Sequence, residues 1–370
     1  MIEKILYLEK DGKAIVYRCF GTGSHVSLPA RIGALQVTGI GDHCFAPEMS
    51  VRVNRDQLKA AYRFQWEGAP DACSRGSGME ADRTAPGAGA DSACALCGDA
   101  LQEIDLPESL RFAGDYCFYG CSGLEKLYFP AGFTRLAGGC FVDAHRISNI
   151  CFELPVPEGG SVPAHEYGQI HEKPTEILPE NLTPPCLKDV LSEVIHEFRA
   201  DVLLPGGKCL YRLYFPGYYE TGEENTPARI IVIKYEGMGY KYRQCFIGRR
   251  LDFRQYDSLF YEASVQELTP TVLRIAFIRL MHPLKLDEDA RENYVRYLRQ
   301  NYRDAAAWIL EEGRFDELAM LCRLQPGYFT EEILDYYLEE AGRRKVPEAV
   351  SLLMEYRRRH FKVQRKRYTF

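Results

Sequence analysis

Apolar residues recur along this chain every 23 positions in three registers at once: Leu101, Leu124 and Ile147; Ile104, Leu127 and Ile150; Leu106, Phe129 and Phe152. Within one copy, Leu101, Ile104 and Leu106 are separated by Gln102, Glu103 and Asp105, which predicts a short strand with the apolar members inward and the polar ones outward. The next copy places Glu125, Lys126 and Tyr128 outward in the same way. Leu106-Pro107 maps onto Phe129-Pro130, and Cys117-Phe118 onto Cys140-Phe141. Segments of this kind cannot bury an apolar face alone. They must stack, so the pattern predicts a solenoid with an inward ladder as core and an outward set of side chains as a continuous surface.

An earlier copy begins at Val26-Ser27-Leu28-Pro29. From Leu28 to Cys44 is 16 positions and from Leu106 to Cys117 is 11, so this copy carries about five extra residues. Before it, residues 4–20 alternate around Asp11-Gly12, a hairpin signal because both turn positions favour positive φ, and this hairpin is expected to cap the stack. Residues 67–98 are dominated by Gly, Ala, Ser and Pro and are expected to be a disordered insertion.

The remaining chain reads as three further segments. A linker is expected at 156–180, rich in Pro and Gly. An aromatic-rich α+β domain is expected at 181–285, opening with a helix capped by Thr183 and continuing with strands at 209–215, 229–235 and 240–247. From 286 to 370 the periodicity is helical, with helices expected near 287–300, 302–312, 315–324, 330–343 and 347–359; helix pairs joined by short turns such as Glu312-Gly313-Arg314 suit an ankyrin-like array. The fold class is therefore α+β: an N-terminal repeat solenoid over 1–155, a small α+β middle domain, and a C-terminal all-α helical repeat with a basic tail.

Composition narrows the setting. A net charge of -6 over 370 residues gives no overall field favouring nucleic acid or an anionic membrane. No stretch approaches the roughly 20 consecutive apolar residues of a membrane span. Charges interrupt the first ten residues where a signal peptide would need an apolar core, so a cytoplasmic location is expected. The thirteen cysteines are odd in number and spread along the chain, and most are expected to be thiols. Cys44, Cys117 and Cys140 each precede a phenylalanine, where a compact apolar group is wanted.

The string Leu106-Pro107-Glu108-Ser109-Leu110, followed by Gly114-Asp115-Tyr116-Cys117-Phe118-Tyr119-Gly120-Cys121-Ser122-Gly123-Leu124, resembles the BspA-type leucine-rich repeats of bacteria, as does Ile40-Gly41-Asp42-His43-Cys44-Phe45. Cys stands before each Phe where that pattern has Ala, and Ala113-Gly114 and Leu136-Ala137 stand at its usual Ile-Gly. The resemblance covers roughly residues 20–155, and the helical ending resembles the ankyrin-like tails of some such proteins. It implies protein or ligand binding without catalysis, and exported relatives act as surface adhesins.

Candidate chemistry is sparse. Cys94-Ala95-Leu96-Cys97 has redox or half-zinc spacing but no second CxxC, and Cys73 lies in the same insertion. His165 and His171 are six apart, not the four a zincin helix needs. Gly237-Met238-Gly239 lacks the third glycine of a dinucleotide loop. Thirteen aromatic residues between 211 and 261, with Arg243, Arg249, Arg250 and Arg254 among them, read as core and rim, or as an anionic-ligand surface. Arg357, Arg358, Arg359, Arg365, Lys366 and Arg367 form a basic ending suited to a helix C-terminus, or to nucleic acid.

No catalytic residue, metal ligand or cofactor is expected. The functional expectation is a scaffold for another protein, binding through Gln102, Glu103, Asp105, Glu125, Lys126 and Tyr128. The alternatives are an enzyme with its active site in 181–285 and a cell-surface adhesin.

Overall fold

Leu127 pairs with Ile104 on one side and Ile150 on the other, so a step of 23 residues along the chain is a step of one strand across a parallel sheet. The computed structural model describes residues 1–49, 57–62, 94–155, 182–225, 230–324 and 327–361. The expected linker at 156–180, most of the expected insertion at 67–98, and Cys73, His165, His171, Arg365, Lys366 and Arg367 lie outside the described residues. The chain divides into two compact units, Met1–Asp252 and Phe253–Phe370.

The first unit is built on two sheets. One runs, in order, Cys209–Phe215, Phe198–Leu203, Asn149–Glu153, Lys126–Phe129, Glu103–Asp105 and His25–Ser27. The other runs Arg135–Leu136, Phe112–Ala113, Leu35–Ile40, Lys13–Gly21, Ile2–Lys10 and Lys59–Tyr62. The first three rungs each contribute one strand to each sheet and close with the same turn. His43, Tyr116 and Gly139, one residue before the cysteine of each rung, all have positive φ (55°, 55° and 69°).

Aromatic rings follow the same period. Phe118 lies between Phe45 and Phe141, with ring centroids at 5.6 and 5.5 Å and planes 6° apart, and Phe129 stacks on Phe152 at 5.6 Å. The thiols behind them form a second ladder. Cys117 Sγ donates to Cys140 Sγ at 3.8 Å, and Cys140 Sγ reaches the carbonyls of Ala137 (3.0 Å) and Gly114 (3.2 Å). Burial pushes the Cys117 and Cys44 thiols far up, which suits packing groups rather than nucleophiles. At Gly123 a Cβ would stand 2.0 Å from the Asp99 carbonyl oxygen, so the close approach of the preceding rung admits no side chain.

The longer early copy absorbs its extra residues locally. Arg31–Ile32 folds back on Leu35–Ile40, pairing Arg31 with Gln36 and Ile32 with Leu35, and Gly39 and Ile40 then rejoin the ladder opposite Phe112 and Ala113. The hairpin Ile2–Lys10/Lys13–Gly21 turns at Asp11-Gly12 with φ of 51° and 68°, and its second strand pairs in parallel with Leu35–Ile40 at the start of the stack. Buried Arg18 secures this end by donating to the carbonyls of His43, Cys44, Ala46 and Pro47.

The other end differs from the sequence expectation. The strand ladder does not stop near residue 155: Asn149–Glu153 pairs in parallel with Phe198–Leu203, which then turns into antiparallel Cys209–Phe215. These residues, expected in a separate middle domain with a strand only at 209–215, extend the repeat sheet, whereas the helices after Asp252 belong to the second unit. Thr183 does not cap the helix Leu187–Glu193; its Oγ1 accepts from the Leu251 amide at 2.8 Å. Residues 240–247, expected as a strand, form instead a helix at Gly239–Arg243 followed by a short strand at Phe246–Ile247, because Met238, Tyr242 and Cys245 bury one helical face. Cys94–Ala95, at the end of the expected insertion, is a strand on Lys13–Gly21, anchored by buried Leu96.

Helix Leu187–Glu193 covers the last rung. Its Glu193 carboxylate accepts from the Cys140 amide at 3.2 Å and from the Gly139 amide, whose equivalents His43 and Tyr116 donate to carbonyls of the next rung. Burial raises the Glu193 pKa above the ordinary glutamate value despite hydrogen bonds from the Gly139 and Cys140 amides. A raised carboxyl pKa contributes stability that is complete below the unfolded value and lost as pH rises through the folded value. Glu193→Ala is therefore expected to cost about 1–2 kcal/mol by orphaning an amide. Glu193→Gln should keep the acceptor and flatten the decline, read as melting temperature between pH 4 and 7. A Gln variant as damaged as Ala would show that the acceptor is not what matters.

Arg243 closes the same end. It is buried, donates to the carbonyls of Val194 (2.8 Å), His196 (2.7 Å), Gly239 (3.0 Å) and Pro216, and lies over the rings of Phe198 and Tyr218. Burial lowers its pKa to about 10, so it stays charged at neutral pH.

The second unit is helical. Its later helices, Glu288–Gln300, Tyr302–Glu312, Phe315–Arg323, Glu331–Arg343 and Pro347–His360, fall within a residue or so of the sequence expectation because their start and stop signals are local. Asp287 and Thr330 cap two of them, and Gly313 ends another at φ 65°. At the core, Asp257 takes a bidentate ion pair from Arg279 (2.7 and 2.8 Å) and a hydrogen bond from the Tyr294 hydroxyl (2.7 Å).

Candidate recognition face

Pairing in the six-stranded sheet, parallel over five strands and antiparallel at the last, lays its outward side chains in two rows. His25, Glu103, Lys126, Asn149 and Arg199 are successive register partners, ending at buried Tyr214, and so are Ser27, Asp105, Tyr128, Cys151, Asp201 and Arg212. The row between them, Val26, Ile104, Leu127, Ile150, Ala200 and Leu213, is buried. Alternation within each strand thus divides core from surface, and the rung spacing sets the neighbours on that surface.

All six residues expected to bind fall on or beside two adjacent strands. Glu103 stands opposite Lys126 and Asp105 opposite Tyr128, while Gln102 and Glu125 immediately precede those strands and are exposed. The Tyr128 hydroxyl donates to Glu153 at 2.7 Å, and desolvation with the neighbouring carboxylate pushes its pKa up. The hydroxyl is thereby tied to the next strand of the ladder.

The face is polarised along the stack. At its start are His25, Glu103 and Asp105, with His25 Nε2 2.7 Å from Asp105 Oδ2. At its end Asp201, 6% exposed, gathers Arg199 (2.9 Å), Arg212 (3.0 Å) and the Asn149 amide (3.2 Å). Two guanidinium groups on one carboxylate leave that end cationic, whereas the start is anionic. Between them burial raises Cys151 to about 11, so its thiol stays protonated at neutral pH.

Sequence reasoning missed His25, Asn149, Arg199, Asp201 and Arg212. Asn149 was readable, since it follows Lys126 by one period. Arg199 and Asp201 had a signal in the alternation of Phe198, Ala200 and Val202, but their distance from the preceding strand breaks the 23-residue step. The other candidate groups are not brought to this face by any described contact. Cys94 is exposed and Cys97 donates to the Ala95 carbonyl at 3.6 Å. Arg357 pairs with Asp335, and Arg358 and Arg359 pair with Glu355 at 2.8 and 2.7 Å. Arg243, Arg249 and Arg250 occupy the first unit and Arg254 the second; Arg249 pairs with Asp189 at 2.8 Å. No helix among the described residues is long and apolar enough to cross a membrane.

A family model described as the BspA type leucine rich repeat region matches residues 92–159 in six copies, so the chain carries leucine-rich repeats of this type there. Among solved structures, the crystal structure of the T. pallidum leucine-rich repeat protein (TpLRR) is similar at 18% identity, over 40% of this chain and 67% of that one, with a TM-score of 0.18. No curated protein matches the sequence.

Proposed function

We propose that this chain is a non-catalytic scaffold whose leucine-rich repeats form a capped solenoid and bind another protein through the outward face of the six-stranded sheet. The observation that supports this most is the register itself. It places side chains from six strands on one surface, with Tyr128 as an aromatic anchor between an anionic and a cationic end. Such a surface is rigid before binding, which limits the ordering cost of association. Gln102, Glu103, Asp105, Glu125, Lys126 and Tyr128 form its centre. Around them Arg199 and Arg212 extend it toward acidic groups of the partner, while Glu103 and Asp105, beside His25, face its basic ones. We read the helical unit as an ankyrin-like array. A bacterial, cytoplasmic setting fits both the repeat type and the buried thiols, which donate hydrogen bonds to carbonyls.

An enzymatic reading finds no comparable support, since the most perturbed arginine of the former middle segment, Arg243, is occupied by four backbone carbonyls. The test is comparative capture from the native cell. Wild type, Lys126→Glu/Tyr128→Ala and, as a control in the other unit, Arg358→Ala serve as baits. A protein recovered with the wild type and the control should fall at least about tenfold with the face variant, as loss of an aromatic hot spot implies. Equal recovery by all three baits would remove this face from the binding surface.

A further inference from the structure

We propose that His25, Glu103 and Asp105 form a binding site for a divalent transition-metal ion at the first two strands of this face. The proposal is independent of which protein the scaffold binds. The strand His25–Ser27 pairs in parallel with Glu103–Asp105, with His25 opposite Glu103 and Ser27 opposite Asp105. One ligand atom from each of the three side chains lies within 4.8 Å of the others. The backbone beneath them is tied across the pair: the Gln102 and Glu103 amides both donate to the Ser24 carbonyl (2.7 and 3.1 Å), and the Leu28 amide donates to that of Asp105 (3.0 Å). Closing three such side chains onto one ion at about 2.0–2.2 Å needs only rotamer adjustments.

Two features separate this cluster from an ordinary surface ion pair. An imidazole with two carboxylates is the donor set preferred by borderline ions such as zinc, whereas magnesium and calcium favour oxygen alone. And the Glu103 side chain makes no hydrogen bond or ion pair among the described residues, although Lys126 is its register partner on the far side. The contact of His25 with Asp105 explains two of the three groups; an ion explains all three. The side chains of His25 and Asp105 are 52% and 46% exposed, so a bound ion keeps open positions for water or for a donor from a partner.

Zinc alone, titrated into the reduced full-length protein against a chromophoric chelator, tests the site. One equivalent should bind the wild type, and its affinity should fall at least tenfold in His25→Ala and in Glu103→Gln. Binding should be unchanged in Cys94→Ser/Cys97→Ser and in His196→Ala, which removes the other close imidazole pair, His145 and His196 at 2.9 Å. Circular dichroism checks that the half-exposed substitutions leave the fold intact. The proposal is overturned if the wild type binds no zinc at 100 μM (~0.1 mM), if the equivalent survives in His25→Ala or Glu103→Gln, or if it is lost with the cysteines or His196 instead.

Discussion

Phe118→Ala should destabilise the first unit by about 3–5 kcal/mol, the usual cost of emptying a fully buried aromatic site. Phe118 has no exposed surface and is sandwiched between Phe45 and Phe141, with planes 6° apart on both sides. Because rungs touch only their neighbours, removing the middle ring severs the contact in both directions and leaves a gap that neither flanking rung can fill. Phe118→Leu, which keeps most of the volume, should lose less. Hydrogen exchange locates the effect: amides of the turns at Phe45, Cys117 and Cys140 should lose protection while those of Glu331–Arg343 keep theirs. A cost below about 1 kcal/mol would mean that the aromatic column does not carry the stack.

Asp257→Ala should be comparably damaging to the helical unit, about 3–5 kcal/mol, for an electrostatic reason. Arg279 is fully buried and Asp257 nearly so, and the carboxylate also receives the Tyr294 hydroxyl. Burial opposes the charge on Arg279, but the hydrogen bonds and charge of Asp257 outweigh it and hold the guanidinium pKa above its ordinary value. Truncation of the acid strands a cation that the carbonyls of His282 (2.9 Å) and Leu284 (3.3 Å) solvate only in part. The double variant Asp257→Leu/Arg279→Met removes both charges and should recover most of the loss. Trp308, stacked on Phe277 at 5.3 Å, gives the fluorescence signal for denaturant unfolding in a Trp66→Phe background. A double variant as unstable as Asp257→Ala would show that packing, not the unpaired charge, dominates.

These two cores differ in how they are written into the chain. The Phe118 column follows from one period: Cys117-Phe118 recurs 23 residues later at Cys140-Phe141, and the structure places those rings 5.5 Å apart. Asp257 and Arg279 carry no such mark. They are two charged residues among many on helical segments, and what makes them a pair is the angle at which Phe253–Ser258 meets Thr269–Met281. The recognition face mixes both kinds. Glu103, Lys126 and Asn149 are successive terms of the repeat, whereas His25 reaches Asp105 across 80 residues and Asn149 reaches Asp201 across 52.

By itself the amino-acid sequence determined the rung, its inward and outward sides and the later helices, because burial periodicity, turn glycines and capping residues act over a few neighbouring positions. Aromatic residues near 240 misled it, since rings at that spacing suit a strand and a helix face equally until a partner surface selects one. Only the tertiary structure decided that Phe198–Leu203 joins the ladder, that Glu193 and Arg243 close it, and that an imidazole meets a carboxylate at its first strands with a second one within 4.8 Å. Those outcomes depend on which backbone edges become neighbours, a choice made by exclusion of water over the whole unit and recorded in no local pattern.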